Sequence, residues 1–72
     1  MMSEEMRAAQ TISKLIGQTW LAAGSDKGNI LANHLEFVLQ RYEDNKFSSV
    51  PPSTLWLAHE VISQTRNLPS YL

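Results

Sequence analysis

Two consecutive prolines, Pro51 and Pro52, constrain this chain more than any other feature. Proline holds φ near about −65°, lacks an amide hydrogen and pushes the residue before it out of the helical region. The sequence on either side of the pair must therefore fold as separate elements. A second break stands at Ala23-Gly24-Ser25, where glycine supplies the left-handed residue that commonly ends a helix. The stretches between these breaks carry apolar residues at spacings of three and four, the period of a helix.

The first stretch predicts a helix over residues 3–23. Ser3 caps it, and Glu4 and Glu5 suit the positive end of the helix dipole. Its apolar stripe is Ala8, Ala9, Ile12, Leu15, Ile16, Trp20 and Ala23, opposed by Arg7, Gln10, Lys14 and Gln18. Gly17 interrupts it at about 1 kcal/mol relative to alanine, and close approach of another backbone is the expected compensation. A second helix is expected over residues 26–43, capped by Ser25 or Asp26. Leu31, Leu35, Val38 and Tyr42 form its main stripe, with Leu39 on one flank and Ile30 and Phe37 on the other. That arc spans roughly 200°, against the ~100° that one neighbouring helix covers.

A third helix is expected over residues 53–67, capped by Ser53, with Leu55, Leu57, Ala58, Val61 and Ile62 on its buried face. Phe47 and Val50 should tuck the connector between the second and third helices onto the core. Leu68, Tyr71 and Leu72 form a short tail that either docks or frays. The fold class is all-α: one small domain over residues 1–72, a long helical hairpin followed by a Pro-Pro joint and a third helix across it.

Size and composition narrow the rest. At 72 residues and 43% hydrophobic, the chain can bury only a small core. Such a core alone seldom supplies more than about 3–5 kcal/mol. Cysteine is absent, which removes disulfides and thiolate metal sites. Tight packing or association remains, and the wide apolar arcs point to a homodimer or higher oligomer. The net charge is −1, and the basic residues Arg7, Lys14, Lys27, Arg41, Lys46 and Arg66 are spread along the sequence. Nucleic-acid binding, which depends on clustered cations, is not favoured. No apolar run approaches the ~20 residues of a membrane span, and the acidic start is wrong for a signal peptide, so a cytoplasmic protein is expected.

Catalytic chemistry finds little support. His34, His59, Glu36 and Glu60 are the only plausible metal donors, and their spacing puts no three on one face, so no metal or cofactor is expected. The serines are explained by caps and loops, no nucleophile elbow is present, and Gly17, Gly24 and Gly28 match no phosphate-binding loop. The chain is expected not to be an enzyme.

The aromatics carry the functional expectation. Trp56 falls beside His59, Glu60 and Ser63, away from the apolar stripe of the third helix. It either covers the Pro51-Pro52 corner or meets another protein. Aromatics and arginine are enriched at the centres of interfaces. The expected partner-binding set is Trp56, His59, Phe37, His34 and Arg41, in a small inhibitor, adaptor or chaperone of the kind phages and plasmids carry. Another protein and a second copy of the chain are the expected partners. Two alternatives are a dimeric helix-turn-helix DNA-binding regulator using the Gly24 turn, with Lys27, Asn29 and Asn33 near the reading end, and an oligomeric small-ligand or nucleotide sponge lined by His34, Arg41 and tryptophan.

Overall fold

Ser3 Oγ accepts the Met6 amide at 3.1 Å and opens helix α1 (Glu4–Leu21) as its sequence predicts. The computed structural model describes residues 2–68, so Tyr71 and Leu72 lie outside the described residues. α1 ends two residues earlier than its periodicity suggests. The Ala22 amide reaches the Gln18 and Thr19 carbonyls and the Ala23 amide the Trp20 carbonyl, which tightens the last turn. Gly24 then takes φ +89°, a conformation that costs other residues about 1 kcal/mol or more. Ser25 completes the corner. Its hydroxyl donates to the Ala22 carbonyl at 2.6 Å and accepts the Gly28 amide at 3.2 Å, capping α2 (Asp26–Asp44).

α2 returns antiparallel to α1. Gly28 packs against the Ala22–Ala23 backbone at one end, and Arg41 meets Glu4 at the other. Past α2, Lys46 takes φ +56° and turns the chain. Pro51 is extended at φ −57°, ψ 144°, and Pro52 is the first residue of α3 (Pro52–Asn67). Proline suits that position because its missing amide would have had no intrahelical partner. Ser53 therefore sits inside the helix and caps nothing, and α3 has no side-chain cap.

α3 packs against both helices of the hairpin and runs antiparallel to α2. His59 meets Glu43 and Arg66 meets Glu36, so seven residues down α3 match seven residues back along α2. The result is a three-helix all-α bundle measuring 40 × 23 × 17 Å, with no strand among the described residues.

The core departs from the expected stripes in a consistent way. In α1 it comprises Ile12, Leu15 and Thr19, while Trp20 is exposed and Ala23 lies beyond the helix end. In α2 it is Gly28, Ala32, Leu35, Leu39 and Tyr42; Leu31 and Val38 are partly buried flanks. Gly28 explains that rotation: only a residue without a side chain lets α2 pass this close to the Ala22 carbonyl, and the face that follows it inward is the one that continues through Ala32 and Leu35. In α3 the core is Ala58, Val61, Ile62 and Thr65, with Leu57 left 46% exposed. Gly17 has nothing within 4 Å of where its Cβ would stand, so the expected close backbone approach is absent there and occurs at Gly28.

The connector is held as the sequence suggests and by more than apolar contact. Val50 is buried, and Phe47 packs edge-on against Tyr42 with ring centroids 5.7 Å apart. The Val50 amide donates to the buried Tyr42 hydroxyl at 2.8 Å. The Ser48 and Ser49 amides both donate to Glu5 Oε2, each at 2.8 Å.

Candidate interaction surface

α2 presents two different flanks. On the α3 side, Arg66 donates to both Glu36 oxygens, at 2.8 and 3.0 Å, and to Asn33 Oδ1 at 2.9 Å. This forked hydrogen bonding, with the guanidinium charge second, holds the Glu36 carboxyl below the usual range, and it raises Arg66 in turn. Farther along, His59 Nε2 lies 3.4 Å from Glu43 Oε1.

On the α1 side, His34, Phe37 and Arg41 line a groove shared with Glu4, Arg7 and Thr11. Arg41 Nη2 stands 3.6 Å from Glu4 Oε1, and its guanidinium carbon lies 6.0 Å from the Phe37 ring centroid. At an exposed site such a cation–π contact contributes about 0.5–1 kcal/mol. His34 is exposed. The arc itself is the reason: the core face of α2 is turned toward Leu35 and Leu39, which leaves the His34 edge in solvent.

Of the five residues expected to bind a partner, the fold thus gathers His34, Phe37 and Arg41. Phe37 is 60% exposed on the ridge between the two flanks, and it also borders the depression that holds His59 and Glu43. Trp56 stands apart on α3. It is 70% exposed, and its position on the helix is diametrically opposite Ala58, Val61, Ile62 and Thr65.

Among the described residues no cluster of three or more His, Asp or Glu is arranged to hold a metal. Glu36 is drawn toward α3 by Arg66, while His34 lies on the α1 flank. α1 and α2 run side by side along their length, whereas the helices of a helix-turn-helix meet at roughly 90–120°. No helix among the described residues is long and apolar enough to cross a membrane.

Two surface features take their exposure from the fold. Ile30, His34, Phe37 and Arg41, spaced by four, three and four, form a second stripe on α2 that is exposed from end to end. Between α1 and α3, Trp20 and Leu57 border an apolar depression floored by Ile16, Gly17 and Val61. The spacing of the α2 stripe was available as a signal. Its exposure was not, because it depends on which face the Gly28 corner turns inward. No protein-family model matches the chain, and neither a curated protein nor a solved structure is significantly similar to it.

Proposed function

We propose that the chain is a small, non-catalytic, cytoplasmic protein-binding module of the inhibitor, adaptor or chaperone type, which engages its partner through the outer side of α2. One observation carries this reading: α2 has two complete stripes, and the fold uses only one. Gly28, Ala32, Leu35, Leu39 and Tyr42 face the bundle. Ile30, His34, Phe37 and Arg41 face outward, with Ile30 67% exposed. Helical anchors at such spacing suit helix-in-groove recognition. Trp56 adds a large aromatic on the back of α3 that the monomer does not use.

Self-association belongs to the same reading. A second copy would cover the apolar depression between Trp20 and Leu57, and the Pro51-Pro52 joint would serve as the rigid corner that sets the α3 side of it. Light scattering tests this: an 8.1 kDa species at micromolar concentration removes it.

The partner surface is tested by capture from host lysate with the full chain, read by mass spectrometry and repeated with Phe37→Ala and Trp56→Ala. Both side chains are exposed, so helicity by circular dichroism should stay unchanged while capture weakens. Capture that is indifferent to both substitutions overturns the assignment.

A further inference from the structure

We infer that the α1–α2 groove receives an acidic amphipathic helix of the partner; the inference rests on the protein-binding role proposed above and names the chemistry of what is bound. Its basis is a segregation of charge that the sequence conceals. Arg7 and Lys14 are seven residues apart on α1, and Lys27, His34 and Arg41 are seven apart on α2. Seven residues are nearly two turns, so each set forms one row on its helix, with a repeat of about 10.5 Å. Because α1 and α2 run antiparallel, the two rows flank the same groove, which Arg7, His34 and Arg41 line. Four of the chain's six Lys and Arg residues, with His34, thus share one side.

Four of the seven carboxylates are placed elsewhere, Glu5 among them at the Ser48 and Ser49 amides. Glu36 is bound by Arg66 and Glu43 faces His59, both on the α3 flank, and Glu60 borders the α1–α3 depression. Glu4 lines the groove against Arg41, Asp26 directly precedes Lys27, and Asp44, which accepts from Gln40, follows Phe37 by seven residues. A chain of net charge −1 thus carries a groove in which the cations Arg7 and Arg41 outnumber the acid Glu4. Beside the α2 cations run Ile30 and Phe37, again seven apart and both exposed.

The partner chemistry follows from the two patterns together. Cations attract an acidic surface and steer its approach, while Ile30 and Phe37 offer anchors that a purely charged ligand would not need. A repeat of about 10.5 Å matches acids spaced seven residues apart on a helix, and an extended peptide, at about 3.3 Å per residue, does not share that period. A second copy is a poor occupant, since an isologous contact would bring two such grooves together.

The test uses the full chain and a fluorescent alanine-based helical peptide carrying three glutamates seven residues apart and leucines beside them. Its counterpart has lysine at each glutamate, and a short duplex DNA is the third probe. Fluorescence anisotropy should show binding of the glutamate peptide and none of the lysine peptide. Lys27→Glu with Arg41→Glu should weaken binding about ten-fold or more, and Phe37→Ala several-fold. Lys46→Glu, beyond the end of α2, should leave it within two-fold.

Absence of glutamate-peptide binding, binding indifferent to Phe37, or tighter binding of the duplex overturns the proposal. The lysate capture separates the two levels of inference. Capture lost with Phe37→Ala but kept with the double charge reversal retains the protein-binding role and discards the acidic partner, whereas capture kept with both, and with Trp56→Ala, discards the role itself. Thermal melts of each variant, all altered at exposed positions, confirm that the fold is intact.

Discussion

Gly17 and Gly28 both sit inside helices, yet alanine should act on them in opposite directions. In an exposed helix interior, glycine to alanine gains about 0.5–1 kcal/mol, because alanine loses less backbone entropy on folding. Gly17 meets the conditions for the full gain, since nothing lies within 4 Å of its added Cβ and the site is exposed. At Gly28 the same methyl would overlap the Ala22 carbonyl oxygen and stand 2.8 Å from the Ala22 carbonyl carbon and 3.2 Å from Ala23 Cα. These are backbone atoms of a tight corner and cannot turn aside as a side chain would. Restoring contact requires α2 to move away from the end of α1 by the better part of an ångström, at the place where Ala32 and Thr19 are fully buried. Overpacking of this kind costs typically 1–3 kcal/mol, and here it disturbs the Ser25 cap as well. After the propensity gain is subtracted, Gly28→Ala should destabilise by about 1–2 kcal/mol. One kcal/mol moves Tm by about 4–8 °C in a domain of this size. Thermal unfolding followed by circular dichroism should therefore place Gly17→Ala several degrees above the parent and Gly28→Ala several degrees or more below it. Equal stabilisation by the two substitutions would refute the close approach at Gly28, and with it the account of why the core face of α2 is rotated.

Three further outcomes are expected. Tyr42→Phe removes the buried acceptor of the Val50 amide and should cost about 1–3 kcal/mol in urea unfolding, whereas a cost near zero would mean that the amide finds another partner. Thr19 and Thr65 bury hydroxyls that have no hydrogen-bond partner, so Thr19→Val and Thr65→Val should each stabilise by about 1 kcal/mol by calorimetry; a loss of stability would show that the hydroxyls are satisfied. The Ser48 amide, against desolvation and with smaller help from Ser49, holds the Glu5 carboxyl below its ordinary range. A depressed folded pKa gives stability that is present above the unfolded value and lost as pH falls through the folded one. The Ser48 and Ser49 amide resonances should therefore move together with a midpoint below that of a free glutamate, and Glu5→Gln should abolish the titration.

The helices themselves were legible because their signals are local. The Ser3 and Ser25 caps, the Gly24 stop and the three-four spacing of apolar residues each act within a turn or two. The facing of those helices was not legible to the same degree. Periodicity weighs large apolar side chains, so it centred α2 on Leu31 and Val38 and passed over Gly28 and Ala32. Their smallness is what permits contact, and glycine and alanine leave little trace in an apolar pattern. Thr19 and Thr65 were missed for a related reason: a hydroxyl marks them as polar although their methyl groups fill the core. Ser53 drew the cap assignment that Pro52 displaced by starting the helix one residue sooner. At the candidate site, His34, Phe37 and Arg41 were identifiable from their shared edge of α2. The Arg7–Lys14 row that completes the groove could be joined to them only once α1 and α2 were known to lie antiparallel.

The Glu5 carboxylate also bears on how the domain comes apart. Three-helix bundles with short connections are rich in local contacts and fold quickly. Their ends commonly open on their own, independently of the middle. Here a side chain in the first turn of α1 grips two amides that are 43 and 44 positions farther along the chain. Fraying at the start of α1 therefore frees the Ser48 and Ser49 amides of the strap that delivers α3 to the bundle, and undocking of that strap leaves the first turn of α1 with Glu4–Arg41 as its remaining long-range contact. The two events are thereby coupled. Amide exchange at Ser48 and Ser49 accordingly reports on the integrity of the chain's beginning.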